Sequence, residues 1–273
     1  MPTKRELRLD VYLTESGKSE SREKAKREIL AGWVRINGET VHDPSRPVAG
    51  DESINVERPQ GIYVSRGGEK LAHALEVFPI TVRERVAADL GASTGGFTHC
   101  LLEAGAKKVY AVDVGYGQLD YRLRMDERVV VFERTHVNSL QREQFEVKPD
   151  LVTVDLSFIS LLRIIDHLIL TFAPAEGIIL IKPQFEAFPG EHKKGVVRHR
   201  EVHRDILKRV LFALFERDLG FQGLTYSPIK GPKGNIEFFL FCTIGREEKS
   251  IRPVEELSAL IEDVVLKAHE KLG

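Results

Sequence analysis

The feature that most constrains this chain is an alternation of short apolar runs with helical stretches from residue 66 onward. The runs contain few polar residues, as in strands buried on both faces, and helices between strands supply the crossovers that parallel pairing needs. The predicted strands are VAADL, KVYAVDV, RVVVFE, DLVTVDL, GIILIKP, GLTYSPI and IEFFLFCTI. The predicted helices are EKLAHALEVF, GGFTHCLLEAG, residues 161–170, VHRDILKRVLFALFERDLG and a tail from about Val254. The pattern predicts an α/β domain with a mostly parallel sheet covered on both faces.

The last two predicted strands are joined only by GPKGN, which is too short for a helical crossover. We therefore expect these strands to pair antiparallel. A mostly parallel sheet with an antiparallel last strand is typical of the Rossmann-like class I SAM-dependent methyltransferase fold.

A small α+β unit is predicted to precede this domain. Leu9, Tyr12 and Leu13 have helical spacing, Gly17 can end that helix, and Ser21 can cap a second one. The Asn-Gly pair between WVRI and ETV predicts a hairpin, and VAGDESINV a further short strand. The predicted domains are residues 1–58 and 66–273, with residues 59–65 as linker.

Composition indicates a protein without membrane segments or metal sites. Cys100 and Cys242 stand alone in apolar stretches, without metal-ligand spacing. No apolar stretch follows the basic N-terminus, so no signal peptide is predicted. The longest apolar stretch, residues 161–172, contains charged residues and is too short to cross a bilayer. We expect a cytoplasmic protein. Because the net charge is −1, any nucleic-acid contact must come from local basic clusters.

A glycine-rich segment, DLGASTGGF at residues 89–97, lies between a predicted strand and helix. Glycines allow a sharp turn and close approach to a ligand, and the following helix offers free N–H groups. Asp113 ends the next strand, where an acidic residue can accept both hydroxyls of a ribose. The order D-x-G-x-x-x-G, rather than G-x-G-x-x-G, favours S-adenosylmethionine over a dinucleotide.

Four charged residues occur where a solvated surface is not expected. Lys70 opens the first helix of the large domain, Asp155 and Lys182 end strands, and Glu237 begins the last strand. Charged strand ends at one edge of an open sheet mark a ligand crevice. Since an unpaired buried ammonium is costly, we expect the lysines to pair with the carboxylates. Structural salt bridges are the alternative explanation.

These residues and the segments SRGGEKL, GASTGGF, VDLSFIS, LIKPQFE and GNIEFFL resemble the TlyA family over roughly residues 6–245. That family consists of ribosomal RNA ribose methyltransferases related to FtsJ. The N-terminal unit resembles the RNA-binding domain of ribosomal protein S-four. One departure is His136, where the family pattern leads us to expect asparagine near the adenine site.

The resemblance implies that Lys70, Asp155, Lys182 and Glu237 are catalytic. It also implies that S-adenosylmethionine is bound by Asp89, Gly91, Ala92, Ser93, Thr94, Gly95, Gly96, Phe97, Asp113, Val114 and Asp155. The implied reaction is in-line attack of a ribose 2′-hydroxyl on the sulfonium methyl, with Lys182 as the central residue. Lys182 either accepts the proton or stays charged and stabilises the alkoxide. The implied partner is ribosomal RNA within ribosomal subunits, with cytidine as target.

RNA contacts are predicted in both domains. In the small domain the candidates are Arg5, Arg8, Arg22, Lys24, Lys26 and Arg27. Acidic residues are interleaved, a pattern typical of a solvated helix face, and the resemblance is what favours RNA. Lys193 and Lys194 lie between Gly190 and Gly195, which suits a substrate lid or an ordinary surface loop. Trp33 could stack on a base, but its place before a strand favours the core.

Three other functions stay open at this point. The segment Asp155-Leu156-Ser157-Phe158 faintly resembles the acidic-Pro-Pro-aromatic signature of base N-methyltransferases, but both prolines are absent. An RNA-binding ribosome-associated factor without catalysis would not need the four charged residues. A haemolysin, a name attached to this family, would need a membrane segment that the sequence lacks.

Overall fold

The computed structural model describes residues 6–19, 21–30, 32–49, 52–56, 63–217, 219–245 and 254–273. The chain divides into two compact units, Met1–Gly61 and Ile62–Gly273.

The first unit has the two predicted helices and the predicted hairpin. The elements are β1 (Leu7–Arg8), α1 (Leu9–Glu15), α2 (Arg22–Leu30), β2 (Val34–Ile36), β3 (Glu39–Val41), β4 (Pro47–Val48) and β5 (Ile54–Val56). Strand β1 was not predicted, and the predicted strand VAGDESINV corresponds to two separate strands, β4 and β5. Gly17, with φ +70°, follows the first helix, and Ser21 Oγ accepts the N–H of Lys24 at 3.2 Å as an N-cap. Asn37 and Gly38 both have positive φ, which confirms the predicted tight turn between β2 and β3.

The core of the first unit forms between the helices and the three-stranded sheet β3-β2-β5. Its buried side chains include Leu9, Leu13, Ala25, Ile29, Val34 and Ile36. Trp33 lies outside this buried cluster and is half-buried, so the prediction that it belongs to the core was wrong. Side chains alternate across a strand, and neighbouring Val34 takes the core-facing position.

The second unit follows the predicted alternation of strands and helices. Its helices are α3 (Arg66–Val77), α4 (Gly96–Glu103), α5 (Tyr121–Arg124), α6 (Ile165–Phe172), α7 (Pro183–Glu186), α8 (Arg200–Phe215) and α9 (Val254–Leu272). Its strands are β6 (Val86–Leu90), β7 (Lys108–Val112), β8 (Val129–Phe132), β9 (Leu151–Val154), β10 (Ala175–Ile181), β11 (Leu219–Tyr226) and β12 (Phe238–Ile244). The four-residue helices α5 and α7 were not predicted, since segments this short carry little periodic signal.

The seven strands lie in the order β11-β12-β10-β9-β6-β7-β8. Neighbours from β10 to β8 are parallel, and β12 pairs antiparallel with both β10 and β11. The mostly parallel sheet with an antiparallel last strand is therefore confirmed. Helices α6, α8 and α9 pack on one face, while α3 and α4 pack on the other.

The connection between β11 and β12 is longer than predicted. It covers residues 227–237, whereas the sequence predicted only GPKGN. Pro228 has no N–H to continue the ladder, and the Gly231 N–H turns back to the carbonyl of Asn235 at 2.9 Å. The carboxyl ends of the parallel strands and the start of β12 thus meet at one edge of the sheet, with this connection beside them.

Candidate active site

The loop between β6 and α4 turns on two glycines in the left-handed region. Gly91 has φ +90° and Gly95 has φ +95°. A Cβ atom on Gly91 would lie 2.5 Å from the carbonyl oxygen of Asp155, and one on Gly95 would overlap the Leu123 side chain. Only glycine fits these positions, so the loop lies tightly against the ends of β6 and β9.

Asp113 follows β7 directly and faces this loop. Its carboxylate oxygens accept the backbone N–H groups of Ser93 at 2.8 Å and Gly115 at 2.6 Å. Since an ionised carboxylate has about four lone-pair positions, Asp113 can accept further hydrogen bonds. The recess around it is lined by Ala92, Ser93, Ala111, Asp113, Gly115, Gln118, Leu119, Val131 and Glu133. The neighbouring Val114 side chain is exposed.

Asp89 of β6 supports the glycine-rich loop from the interior of the domain. Its fully buried carboxylate accepts the hydroxyl protons of Thr98 at 2.6 Å and Thr153 at 3.1 Å. Burial raises the pKa of Asp89 to about 7. The Phe97 side chain also belongs to the core. These two predicted cofactor residues therefore shape the loop rather than line its surface, and sequence reasoning missed the threonines that hold Asp89.

Lys70 and Glu237 form a buried ion pair between α3 and the start of β12. Lys70 Nζ lies 2.6 Å from Glu237 Oε2, and their side chains are 9% and 1% exposed. Gly231 in the connection before β12 leaves room for this pair, because a Cβ there would lie 2.5 Å from Glu237 Oε1. The pair explains how a lysine is accommodated on the inner face of α3.

Lys182 and Asp155 form a second ion pair at the ends of β10 and β9. Lys182 Nζ lies 2.6 Å from Asp155 Oδ1. Among the described residues Asp155 Oδ1 accepts no hydrogen bond, and Nζ donates to Ser157 Oγ at 3.0 Å. Sequence reasoning did not assign Ser157 a role, although it lies only two residues beyond Asp155.

The strand register brings the two ion pairs together. Ile181 of β10 pairs with Phe238 of β12, so Lys182 and Glu237 occupy the next opposed positions on neighbouring strands. Leu90 of β6 pairs with Val154 of β9, which places Asp155 beside Gly91 of the glycine-rich loop. The four predicted charged residues therefore lie at one edge of the sheet, next to that loop.

An aromatic pair lies beside Lys182, of which only Phe158 was noted in the sequence, within the weak resemblance to base N-methyltransferases. Phe158 follows Ser157, is 87% exposed, and has φ +65°, an unusual value for a bulky residue. Its ring centroid lies 5.2 Å from that of Phe185 in α7. An exposed aromatic ring next to charged residues can stack on a nucleobase.

Glu186 at the end of α7 holds the segments after β9 and β10 together. Its buried carboxylate accepts the Ser160 hydroxyl at 2.7 Å and the Leu161 N–H at 2.8 Å. Burial raises the pKa of Glu186, partly opposed by these hydrogen bonds. This carboxylate thereby fixes the turn that carries Phe158 relative to the segment that carries Lys182.

The loop with Lys193 and Lys194 is held by Asn235. Both lysines are exposed. The buried Asn235 amide accepts the Val197 N–H at 3.0 Å and donates to the Gly195 carbonyl at 2.9 Å. Since Asn235 stands two residues before Glu237, the basic loop is anchored next to the ion pairs at its C-terminal side.

The predicted RNA contacts of the small unit fall into two groups. Arg8 and Arg22 both donate to the buried carboxylate of Asp10. Lys26 pairs with exposed Glu23 at 2.8 Å, and Lys24 is half-buried. Arg5 and the side chain of Arg27 lie outside the described residues.

The remaining expectations concern His136, metal binding and membrane-spanning helices. His136 is exposed at the start of a short 3-10 turn, Val137–Ser139. Among the described residues, no group of three or more His, Cys, Asp or Glu side chains could hold a metal ion. In the same part of the chain, no helix combines the length and apolarity needed to cross a membrane.

Two family profiles match the chain. Residues 63–243 match the FtsJ-like methyltransferase family, and residues 7–54 match the S4 domain. These matches correspond to the second and the first compact unit respectively.

Individual relatives extend this result over nearly the whole chain. YqxC of Bacillus subtilis is 44% identical over 98% of both chains. The 16S/23S rRNA (cytidine-2′-O)-methyltransferase TlyA of Mycobacterium tuberculosis is 42% identical and covers 87% of this chain and 90% of its own. A solved structure from Streptococcus thermophilus, which carries a hemolysin name, is 36% identical with TM-score 0.76, over 98% of this chain and 97% of its own. The chain therefore belongs to the FtsJ-like methyltransferase family, in the TlyA group that carries an S4 domain.

Proposed function

We propose that this protein is a ribosomal RNA methyltransferase that transfers the methyl group of S-adenosylmethionine to a ribose 2′-hydroxyl. The most direct support comes from two ion pairs at the edge of the sheet beside the glycine-rich loop, Lys70–Glu237 and Lys182–Asp155. Such a site can orient a hydroxyl and stabilise the negative charge that develops when it reacts.

The residues present fit S-adenosylmethionine. The left-handed glycines 91 and 95 let the loop pack tightly against the ends of β6 and β9, and Asp113 retains acceptor capacity for ribose hydroxyls. The proposed contacts are Gly91, Ala92, Ser93, Thr94, Gly95, Gly96, Asp113, Val114 and Asp155, with Asp89 and Phe97 acting through the loop. When bound, the cofactor supplies an activated methyl group.

The protein side of the reaction depends on Lys182. Asp155 holds its ammonium group at 2.6 Å, and Ser157 accepts one of its protons at 3.0 Å. An ammonium held in this way can donate a hydrogen bond to the 2′-oxygen and stabilise the alkoxide that forms as the hydroxyl proton passes to solvent water. Lys70 and Glu237 fix the neighbouring strand end, and Phe158 offers a ring on which the target base can stack.

The proposed substrate is ribosomal RNA within a ribosomal subunit, and the proposed target nucleotide is a cytidine. Because the substrate is ribosomal, we propose a cytoplasmic location. The Mycobacterium tuberculosis relative is named for cytidine in both 16S and 23S rRNA. The S4-type domain, residues 1–58, supplies Arg5, Arg8, Arg22, Lys24, Lys26 and Arg27 as RNA contacts. The FtsJ-like domain, residues 66–273 after a linker at 59–65, adds Lys193 and Lys194.

The test uses the full chain with tritiated S-adenosylmethionine and ribosomal subunits reconstituted from transcribed 16S and 23S rRNA. We expect incorporation at a cytidine whose 3′ phosphodiester bond becomes resistant to alkaline hydrolysis. A transcript with 2′-deoxycytidine at the mapped position should accept no methyl group. Equal incorporation into the deoxy transcript would indicate base methylation, and no incorporation despite cofactor binding by calorimetry would indicate a binding factor without catalysis.

A further inference from the structure

A buried carboxylate joins two arginines of the S4-type unit. Asp10, in the first turn of α1, is fully buried. Arg8 donates from Nε to Oδ1 and from Nη2 to Oδ2, both at 3.1 Å, and Arg22 donates from Nε to Oδ2 at 3.1 Å. Arg8 lies in β1 and Arg22 opens α2, so one side chain links three elements of the unit.

The arginines themselves remain accessible. The Arg8 and Arg22 side chains are 47% and 52% exposed, whereas the Asp10 side chain beneath them is 0% exposed. A guanidinium carries five N–H donors in a rigid plane, of which Arg8 gives two to Asp10 and Arg22 gives one. Asp10 therefore holds each guanidinium group along one edge, while the arginine side chains stay partly exposed.

We propose that Asp10 is a positioning residue that holds Arg8 and Arg22 as one preformed site for backbone phosphate of the RNA substrate. The proposal rests on the RNA-binding role proposed above for this unit. A long arginine side chain loses conformational freedom when it binds a ligand. Asp10 removes most of that freedom before RNA arrives, and it fixes both guanidinium planes for the paired contacts that phosphate oxygens accept.

Charge alone predicts the opposite effect of Asp10. The carboxylate is ionised at neutral pH, because the hydrogen bond from Arg8 lowers the pKa of Asp10. Removing this negative charge makes the surface more positive, and electrostatics by itself would then tighten RNA binding. A positioning role predicts weaker binding from the same change. The sign of the effect therefore separates the two explanations.

The chain offers a matched control on the same unit. Glu23 pairs with Lys26 at 2.8 Å, and its side chain is 76% exposed. Glu23→Gln changes the net charge as much as Asp10→Asn does, but it leaves the Asp10 cluster in place. If only charge matters, both variants should bind RNA at least as tightly as the wild type.

The experiment measures filter binding of the full chain to labelled 16S rRNA transcript at several salt concentrations. For Asp10→Asn we expect Kd to rise at least about fivefold, and for Glu23→Gln to stay equal or fall. In an Arg8→Ala/Arg22→Ala background, measured at lower salt, Asp10→Asn should change Kd less than about twofold, because the residues it acts through are gone.

Each other outcome is decisive. Binding by Asp10→Asn as tight as wild type, or an equal loss in the double-alanine background, would overturn the positioning role. If Arg8→Ala/Arg22→Ala binds RNA as tightly as the wild type, these arginines do not contact RNA. The proposed methyltransferase activity is tested separately, by the tritium assay. Should Asp10→Asn not fold, as judged by circular dichroism, Arg8→Lys/Arg22→Lys serves instead. It keeps both charges without the planar fork, so wild-type affinity would again overturn the inference.

Discussion

Lys70 and Glu237 are separated by 167 positions in the sequence, yet Lys70 Nζ lies 2.6 Å from Glu237 Oε2 in a buried pair. Neither charge would be stable there alone, because an unpaired buried ion loses its hydration without compensation. The pair therefore connects the start of the second unit to its last strand. The same two residues contribute to the stability of the fold and belong to the candidate active site.

The first prediction separates these two contributions. Lys70→Met should lower the free energy of unfolding by roughly 3 kcal/mol, since it leaves Glu237 buried without its partner. Lys70→Met/Glu237→Leu should recover most of that stability while methyl transfer stays absent. Urea denaturation and the tritium assay measure the two effects. Recovery of activity together with stability would show that the pair is only structural.

The second prediction concerns the role of Lys182. Lys182→Ala should reduce methyl transfer by at least about 100-fold, and cofactor affinity by calorimetry should be unchanged. Lys182→Arg keeps a positive charge beside Asp155 but cannot accept a proton, so measurable residual activity is expected if the charge stabilises the alkoxide. Lys267→Ala, at an exposed lysine of α9 with no proposed role in the reaction, is the control for both readouts. Wild-type turnover by Lys182→Ala would remove Lys182 from the mechanism.

The sequence predicted the charged residues of the site because of where they interrupt apolar runs. Asp155 and Lys182 each follow a strand whose residues are all or nearly all buried, and an ionisable group in such a place is seldom ordinary surface. The alternation of strands and helices was equally informative, because it predicted which strand ends would meet at the same edge of the sheet. The glycine-rich loop could be recognised for the same reason, from its place between a strand and a helix.

The residues that hold the site could not be found in this way. Asn235, Glu186 and Asp10 each bind groups brought near by the fold, and in a single sequence they look like ordinary polar residues of a loop or helix. Their signal is burial, which depends on the completed fold. Ser157 and Phe158 were noted only in the resemblance to base N-methyltransferases, because nothing in the sequence indicated that the chain turns there with a positive φ at Phe158.

The third prediction concerns Asp89 and pH. Burial raises the pKa of Asp89 to about 7 in the folded protein, above the usual value of about 4 in the unfolded chain. The folded state therefore binds the extra proton between these values, so this group's contribution to stability falls as pH rises from about 4 to about 7. The loss is at most on the order of 4 kcal/mol.

Asp89→Asn removes this titration while preserving an acceptor for Thr98 or Thr153. The difference in free energy of unfolding, wild type minus variant, should therefore decrease between pH 5 and pH 7. Denaturant unfolding at a series of pH values provides the measurement. Parallel stability curves for the two proteins would contradict a titrating Asp89.

The last prediction tests the aromatic ring beside the ion pairs. Phe158 is 87% exposed, so its ring is accessible to a nucleobase, and stacking on one base contributes about 1–3 kcal/mol. Phe158→Ala should therefore lower kcat/KM for RNA by about tenfold or more, while cofactor affinity stays unchanged. Leu170→Ala is the matched control, because Leu170 is 72% exposed on α6, shortly before the start of β10 at the opposite edge of the sheet. Equal small effects of the two substitutions would show that Phe158 does not contact the target nucleotide.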